Sequence, residues 1–366
     1  MKRKDGNRKL KAIRQSPVFQ YGFKDNPANI AFRQVHQRPD VRKKQIQALS
    51  LFSGCGGFDF GLLGGFKVLG KSYEPLPFNL VKSYDFDALS VETYRLNISD
   101  DIECVDLTTL PPASMPPCDV LFGGFPCQDF ASCGPKQGLE GKRGRLYEVL
   151  IDYMKEHRPP VVVAENVPHL EKMHGGLVLQ TILEEMSAVG YRFKVWRVPC
   201  ADYGLPQRRV RLFLVGVRDD IKQDPLPPPP QIFHHVVTID EALKDLEDVE
   251  GEAVTNQGQY FVATKATAGA GQGDEVSRRG EPAYTVRANS KARVQFHYSL
   301  ERRLTVRESA RLQSFPDEFV FPHATGHNMM QIGNAVPPII GHLVGEAITD
   351  FCMKVLYNIH EYKVAA

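Results

Sequence analysis

The chain has 366 residues, 42% of them hydrophobic and 24% charged, with a net charge of +2. That balance excludes fibrous, collagen-like and wholly disordered classes and supplies apolar surface for one large core plus a smaller unit. No stretch approaches the ~20 uninterrupted apolar residues of a membrane span, and Met1-Lys2-Arg3-Lys4 leads into polar sequence rather than an apolar signal core, so a cytoplasmic protein without a membrane partner is expected.

Charge is distributed unevenly along the chain. Residues 1–48 hold thirteen Lys and Arg against three Asp, and the remainder is mildly acidic. Residues 1–47 therefore read as a basic arm, suited to a polyanion such as nucleic acid or simply solvated. Short apolar runs then alternate with helix-length segments: Gln47–Phe52, Val81–Tyr84, Ile102–Val105, Asp119–Phe122, Pro160–Ala164, Phe193–Val198 and Arg211–Val217. This pattern predicts βαβ units around a largely parallel sheet over residues 48–224. Pro225-Leu226-Pro227-Pro228-Pro229-Pro230 can continue neither strand nor helix and marks a boundary. Beyond it the chain is polar and irregular to about Ser299, with a helix predicted over Asp240–Leu246 and a loop at Gly269–Gly273. Helical patterning returns over Thr305–Ser314 and Ile339–Lys354.

Three signals carry chemistry. Leu51-Phe52-Ser53-Gly54-Cys55-Gly56-Gly57 is a strand running into glycines, where backbone can approach a ligand or merely turn tightly. Asp85 and Asp106 follow the next two strands, at places suited to a ribose diol and an adenine amino group, with Phe86 able to stack on a purine. Most informative is Gly123-Gly124-Phe125-Pro126-Cys127-Gln128, which sets a thiol just past a strand end, while Glu165 ends the strand of Val161–Val167. A thiolate and an acid at adjacent strand ends suit addition to an activated heterocycle. The seven cysteines form no CxxC pair or zinc spacing, so free thiols in a reducing compartment and no metal are expected. Cys133 and His234-His235 carry no assigned role.

Gly-Gly-Phe-Pro-Cys-Gln, Glu-Asn-Val, Gln207-Arg208-Arg209-Val210-Arg211 and Gly333-Asn334-Ala335-Val336-Pro337, in that order behind the glycine turn, resemble the ordered motifs of the DNA (cytosine-5) methyltransferases. The resemblance runs from about Ala48 to Ala347, apart from the polar segment after the prolines. It implies an α/β, Rossmann-like S-adenosyl-L-methionine-dependent methyltransferase sheet with a smaller, irregular target-recognition domain. The expected divisions are the arm (1–47), a catalytic and cofactor-binding domain (48–224), a target-recognition domain (225–322) and a C-terminal segment returning to the catalytic domain (323–366).

By the same resemblance Phe52 stacks on adenine, Asp85 holds the ribose with Phe86 packing on the ring, and Asp106 takes the adenine amino group, with Leu107 beside it. Ser53, Gly54, Gly56 and Gly57 pass close to the methionine part, and Asn334 and Val336 close the pocket. Cys127 is the implied nucleophile, Glu165 the acid, Arg209 the partner of the base's exocyclic oxygen, and Arg211 a residue that orders the site. The implied substrate is a flipped-out cytosine in a specific duplex DNA sequence. A monomer is expected, with a cognate restriction endonuclease as a candidate partner.

Two departures stand out. Phe130-Ala131 lacks a hydroxyl common at that point of the family pattern. Lys71–Leu80 looks like an insertion, which makes Glu74 a competitor of Asp85. Bases or phosphates would be met between Gln231 and Ser299, by Arg278, Arg279, Arg287, Lys291 or Arg293. A cytosine-5 tRNA methyltransferase and a catalytically silent DNA-binding regulator stay open as alternatives. Against the first stands the absence of a Cys-Phe-Thr tripeptide, and against the second the presence of all four reactive residues.

Overall fold

Ile-Gln-Ala-Leu-Ser-Leu offers apolar side chains to both faces, and as β1 (Ile46–Leu51) it lies almost entirely buried in the middle of a sheet. The computed structural model describes residues 44–126, 146–230, 236–262, 276–288 and 295–359. After β1 come the glycine turn, the short α1 (Gly57–Leu63), a hairpin of β2 (Phe66–Val68) and β3 (Lys71–Tyr73), and β4 (Phe78–Asp85). The expected insertion at Lys71–Leu80 thus divides: its start is β3, and Phe78–Leu80 already belongs to β4, pairing in register with Ile46–Ala48.

Helix α2 (Ala88–Asn97) follows β4 directly. Asp87 starts it, its carboxylate accepting from Ser90 N at 3.1 Å and Ser90 Oγ at 2.6 Å. Then follow β5 (Ile102–Cys104), β6 (Val120–Gly123), α3 (Glu148–His157), β7 (Val161–Asn166), α4 (Leu177–Ser187), β8 (Tyr191–Pro199) and β9 (Val210–Arg218). The seven-stranded order is β5-β4-β1-β6-β7-β9-β8. The first five strands are parallel, and β9 runs antiparallel between β7 and β8. Strand order reverses between β1 and β6. In such sheets that reversal opens a crevice at the carboxyl ends of the strands, and the glycine turn and the Phe-Pro segment both sit there.

Helices α3 and α4 cover one face through Leu150, Met154, Ile182 and Met186. The other face receives α1 together with α5 (Ile239–Leu243), α6 (Val306–Leu312), α7 (Thr325–Asn334) and α8 (Pro338–Phe351). Capping boxes open α5 at Thr238/Glu241 and α6 at Thr305/Glu308. Ile239, Leu243, Val286, Phe315 and Phe319 share one apolar cluster with Phe60 and Phe66. Described residues of 225–322 thus pack in the same cluster as Met329, Ile332 and Val344 from beyond the expected boundary at 322/323.

Carboxamides hold the irregular segments of this layer where no strand pairs them. Asn97 takes both the N–H and the C=O of Val320 at 2.8 Å each, and Asn256 does the same for Phe321 at 3.1 and 2.8 Å. Each replaces a lost ladder bond and leaves no buried backbone group unpaired there. No helix among the described residues is long and apolar enough to cross a membrane.

Candidate active site

On the cofactor side, the chain turns at Phe52, whose φ of 58° is the left-handed region that β-carbon residues avoid. The strained turn throws Ser53–Gly54 across the end of β4, where Gly54 N donates to Asp85 Oδ2 at 2.7 Å. The three glycines divide their work. Gly54, also at positive φ, has open space where a side chain would stand. A β-carbon on Gly56 would collide with Ile98 and Tyr94, and one on Gly57 with the Val336 carbonyl at 2.5 Å. Only Gly54 faces free volume; the other two permit packing against α2 and the Gly-Asn-Ala-Val segment, which does fold back onto the first turn.

Asp85 is buried, its Oδ1 also accepting Asp87 N at 2.9 Å, and burial raises its pKa. Phe86 beside it is 73% exposed, a large ring presented to solvent at a strand end. Glu74 precedes β4, and its carbonyl lies against Gly64 at the far end of α1, on the amino-terminal edge of the sheet. It stands away from the crevice, so the geometry favours Asp85. Asp106 is exposed and ionises readily, because Thr108 donates both N–H (3.0 Å) and Oγ1 (2.8 Å) to it. Leu107 is buried, Asn334 is exposed at the end of α7 and Val336 is buried. An exposed aromatic, two carboxylates and an open glycine thus line one edge, a set that fits an adenosyl group.

On the chemical side, Cys127 and Cys133 lie outside the described residues. The approach to Cys127 is described: β6 ends at Gly123, and a β-carbon on Gly124 would stand 3.3 Å from Glu165 Oε2. Asn166 Nδ2 donates to the Phe125 carbonyl at 3.0 Å, fixing the Phe-Pro step from the next strand. Asn166 belongs to the Glu-Asn-Val motif, in which only the glutamate carried an expected role.

Register across β7 and β9 decides the arginines. Glu165 pairs with Phe213, and alternate residues of β9 share a face, so Arg211 reaches Glu165 diagonally. Arg211 Nε stands 2.7 Å from Glu165 Oε1 with both side chains nearly buried, although the N–H is not aimed at that oxygen. Burial raises the Glu165 pKa, and Arg211 and then Arg209 oppose the rise. Arg209 is fully buried and spends its donors on carbonyls: Val286 at 2.9 Å, Gly333 at 3.0 Å and Ala335 at 2.8 Å. The expectation gave the base to Arg209 and the ordering of the site to Arg211; here Arg211 stands at Glu165 and Arg209 at backbone carbonyls.

Gln207, equally buried, donates to the Leu312 carbonyl at 2.6 Å and accepts Val286 N at 3.1 Å. Arg209 and Gln207 together join β9 to the 283–286 segment and to α6 and α7. Of the recognition candidates, Arg278 and Arg279 lie near Glu281 and Glu247, at 3.9 and 3.6 Å, and Arg287 is exposed. Lys291, Arg293, Gly269–Gly273, His234-His235, Phe130-Ala131 and nearly all of the basic arm lie outside the described residues. Among the described residues no His/Cys/Asp/Glu group could hold a metal ion.

The family model described as C-5 cytosine-specific DNA methylase matches residues 46–269 and 255–350. Type II methyltransferase M.NgoFVII of Neisseria gonorrhoeae is 33% identical over 324 residues, covering 79% of this chain and 83% of that protein. Type II methyltransferase M.BsuRI of Bacillus subtilis is 29% identical over 376 residues, covering 90% and 85%. In fold, the chain resembles the solved Entamoeba histolytica methyltransferase EhMeth, with a TM-score of 0.60 at 13% identity over 86% of this chain and 99% of that one.

Proposed function

The chain belongs to the C-5 cytosine-specific DNA methylase family and is a DNA cytosine-5 methyltransferase that uses S-adenosyl-L-methionine; from that premise we propose that it works through a covalent Cys127 adduct on a flipped-out cytosine, with Glu165 and Arg211 holding the base. The observation that carries this reading is the buried Glu165–Arg211 pair set against Gly124, three residues before Cys127.

Carbon 5 of cytosine is a poor nucleophile until a group adds at carbon 6. Cys127 as thiolate forms the sulfur–carbon 6 bond, and the displaced ring electrons run toward carbon 5 and nitrogen 3. Glu165, its pKa raised by burial, is the proton donor at nitrogen 3 and limits the negative charge. Arg211, kept in place by Glu165, offers its remaining N–H groups to the exocyclic oxygen. The sulfonium of the bound cofactor supplies the methyl group to carbon 5. Loss of the carbon-5 proton then expels the Cys127 thiolate and restores the aromatic ring. Since carbon 6 is inaccessible in a stacked duplex, the base must leave the helix.

For the cofactor, the reading gives Phe52 and Phe86 to the adenosyl faces, Asp85 to the ribose, Asp106 to the amino group with Leu107 alongside, and Ser53, Gly54, Asn334 and Val336 to the methionine end. Gly56 and Gly57 act by permitting the packing around it. The Type II methyltransferases among its relatives support a restriction–modification setting; to this the proposal adds a monomer and a cognate endonuclease cutting the same site.

The test is a duplex containing 5-fluorocytosine at the methylated position. The native protein should form a denaturant-stable adduct that maps to Cys127, and Cys127→Ala should form none while keeping its fold. An adduct at Cys133 would overturn the assignment. Bisulfite sequencing of DNA treated with the protein identifies the target sequence.

A further inference from the structure

Beneath the glycine turn lies a carboxylate that the mechanism above does not use. Asp59, on the first turns of α1, is 1% exposed. Its Oδ1 accepts Ser50 Oγ at 2.8 Å, and its Oδ2 accepts Ser83 Oγ at 3.2 Å and Tyr94 Oη at 3.0 Å. Ser50 and Ser83 are register partners on β1 and β4, so the carboxylate ties the ends of two central strands and α2 to the helix that follows the turn. The ionisable groups facing it are Tyr94 from α2, Asp85 from the end of β4 and Cys55 from the turn itself, and none is a cation. Asp85, the second buried carboxylate here, likewise has no ion-pair partner among the described residues. A fold that buries two carboxylates with hydroxyls and amides alone is short of positive charge at this spot.

The hydroxyls also have a direction. Ser53 Oγ can donate to Ser50 Oγ at 2.9 Å or to the Ser50 carbonyl at 3.2 Å, and Ser50 Oγ donates to Asp59 at 2.8 Å. While Asp59 is ionised, Ser50 Oγ donates inward to it and is left to accept from Ser53. Protonated Asp59 can donate to Ser50 and reverse the chain.

We propose that Asp59 is a specificity-determining residue that favours the cationic sulfonium cofactor over its neutral thioether product, acting through Ser50 and Ser53 and through its own field. The proposal rests on the cofactor lying at residues 52–57. Methyl transfer removes the positive charge from sulfur, so a fixed negative charge below the turn binds the donor more tightly than the spent product and promotes exchange. Through low-dielectric surroundings a single charge several ångströms away is worth about a tenfold change in affinity. Burial raises the Asp59 pKa to about 6, so the charge is present at neutral pH and is lost as pH falls through that value.

Calorimetric titration with S-adenosylmethionine, S-adenosylhomocysteine and the cationic analogue sinefungin tests this on the full chain. Asp59→Asn should weaken the two cationic ligands roughly tenfold and leave S-adenosylhomocysteine within about twofold. In the native protein the donor-to-product affinity ratio should fall below pH 6, whereas in Asp59→Asn it should stay flat. Equal weakening of all three ligands, or an unchanged ratio, would overturn the proposal and leave Asp59 as a prop for the turn. Phe86→Ala, an exposed change, separates the premise: it should weaken all three ligands alike. If it weakens none, the cofactor lies elsewhere and the reading of the site fails before the role of Asp59 is reached.

Discussion

Single residues at the β7–β9 junction carry opposite duties despite identical chemistry. Arg211 faces Glu165, and Arg209 faces backbone. Arg211→Ala should therefore lower kcat by ~10²-fold or more with little loss of stability. Removing the nearest positive charge also lets the Glu165 pKa climb further, so the alkaline limb of the pH–rate profile should move to higher pH. Arg209→Ala instead strips the Val286 and Gly333 carbonyls of its guanidinium and leaves Ala335 only the Gln313 donor, and should cost about 3 kcal/mol, read as a lowered Tm. If Arg209→Ala spared the fold and abolished turnover, the two roles would have to be exchanged. Glu165→Gln keeps the shape but cannot transfer a proton. It should cost ~10² to 10⁴ in rate with cofactor affinity nearly unchanged. Because burial raises its pKa, the native enzyme should lose activity as pH rises through that value, and the Gln variant should lack this limb.

At the scale of elements, the joint between α7 and the 283–288 segment decides whether the cofactor edge and the recognition side keep their relative position. A β-carbon on Gly333 would stand 2.2 Å from Ala288 N and from the Arg287 carbonyl carbon, backbone that cannot swing away as a side chain would. Gly333→Ala should force the two apart, destabilise by roughly 2–3 kcal/mol, and raise KM for DNA in whatever protein remains folded. Steady-state kinetics with the two substrates varied separately checks this; an effect confined to cofactor KM would place the disturbance on the other side of the joint. The strands and helices themselves were legible, because apolar runs bounded by Gly and Pro have few alternatives. Helix α6 (Val306–Leu312) lies within Thr305–Ser314, where helical patterning returns. The hairpin of β2 and β3 was not legible: three-residue strands are too short for a period to show.

Across the whole molecule, the basic arm is the one large charge asymmetry, thirteen Lys and Arg among 48 residues. A segment with that excess and no groove-reading pattern should strengthen DNA binding through phosphates without choosing bases. Deletion of residues 2–44 should weaken affinity and flatten its salt dependence, while bisulfite sequencing finds the same methylated site. A changed site, or an unchanged salt slope, would show that the arm does more or less than anchor.

The sequence by itself determined the α/β class, the order of motifs and the identity of the chemical groups. Gly-Gly-Phe-Pro-Cys, Glu-Asn-Val and the glycine turn are local signals, each complete within about ten residues. Tertiary structure alone decided which arginine meets Glu165, that Asp85 and not Glu74 stands at the crevice, and that described residues on both sides of 322, such as Leu243 and Ile332, share one apolar cluster. It also brought Asp59 beneath the turn, between Ser50 and Ser83. Each of these depends on strand register or on packing between segments tens to hundreds of residues apart. A shift of one residue in β9 would turn Arg211 to the opposite face, and no local pattern in the chain records which register wins.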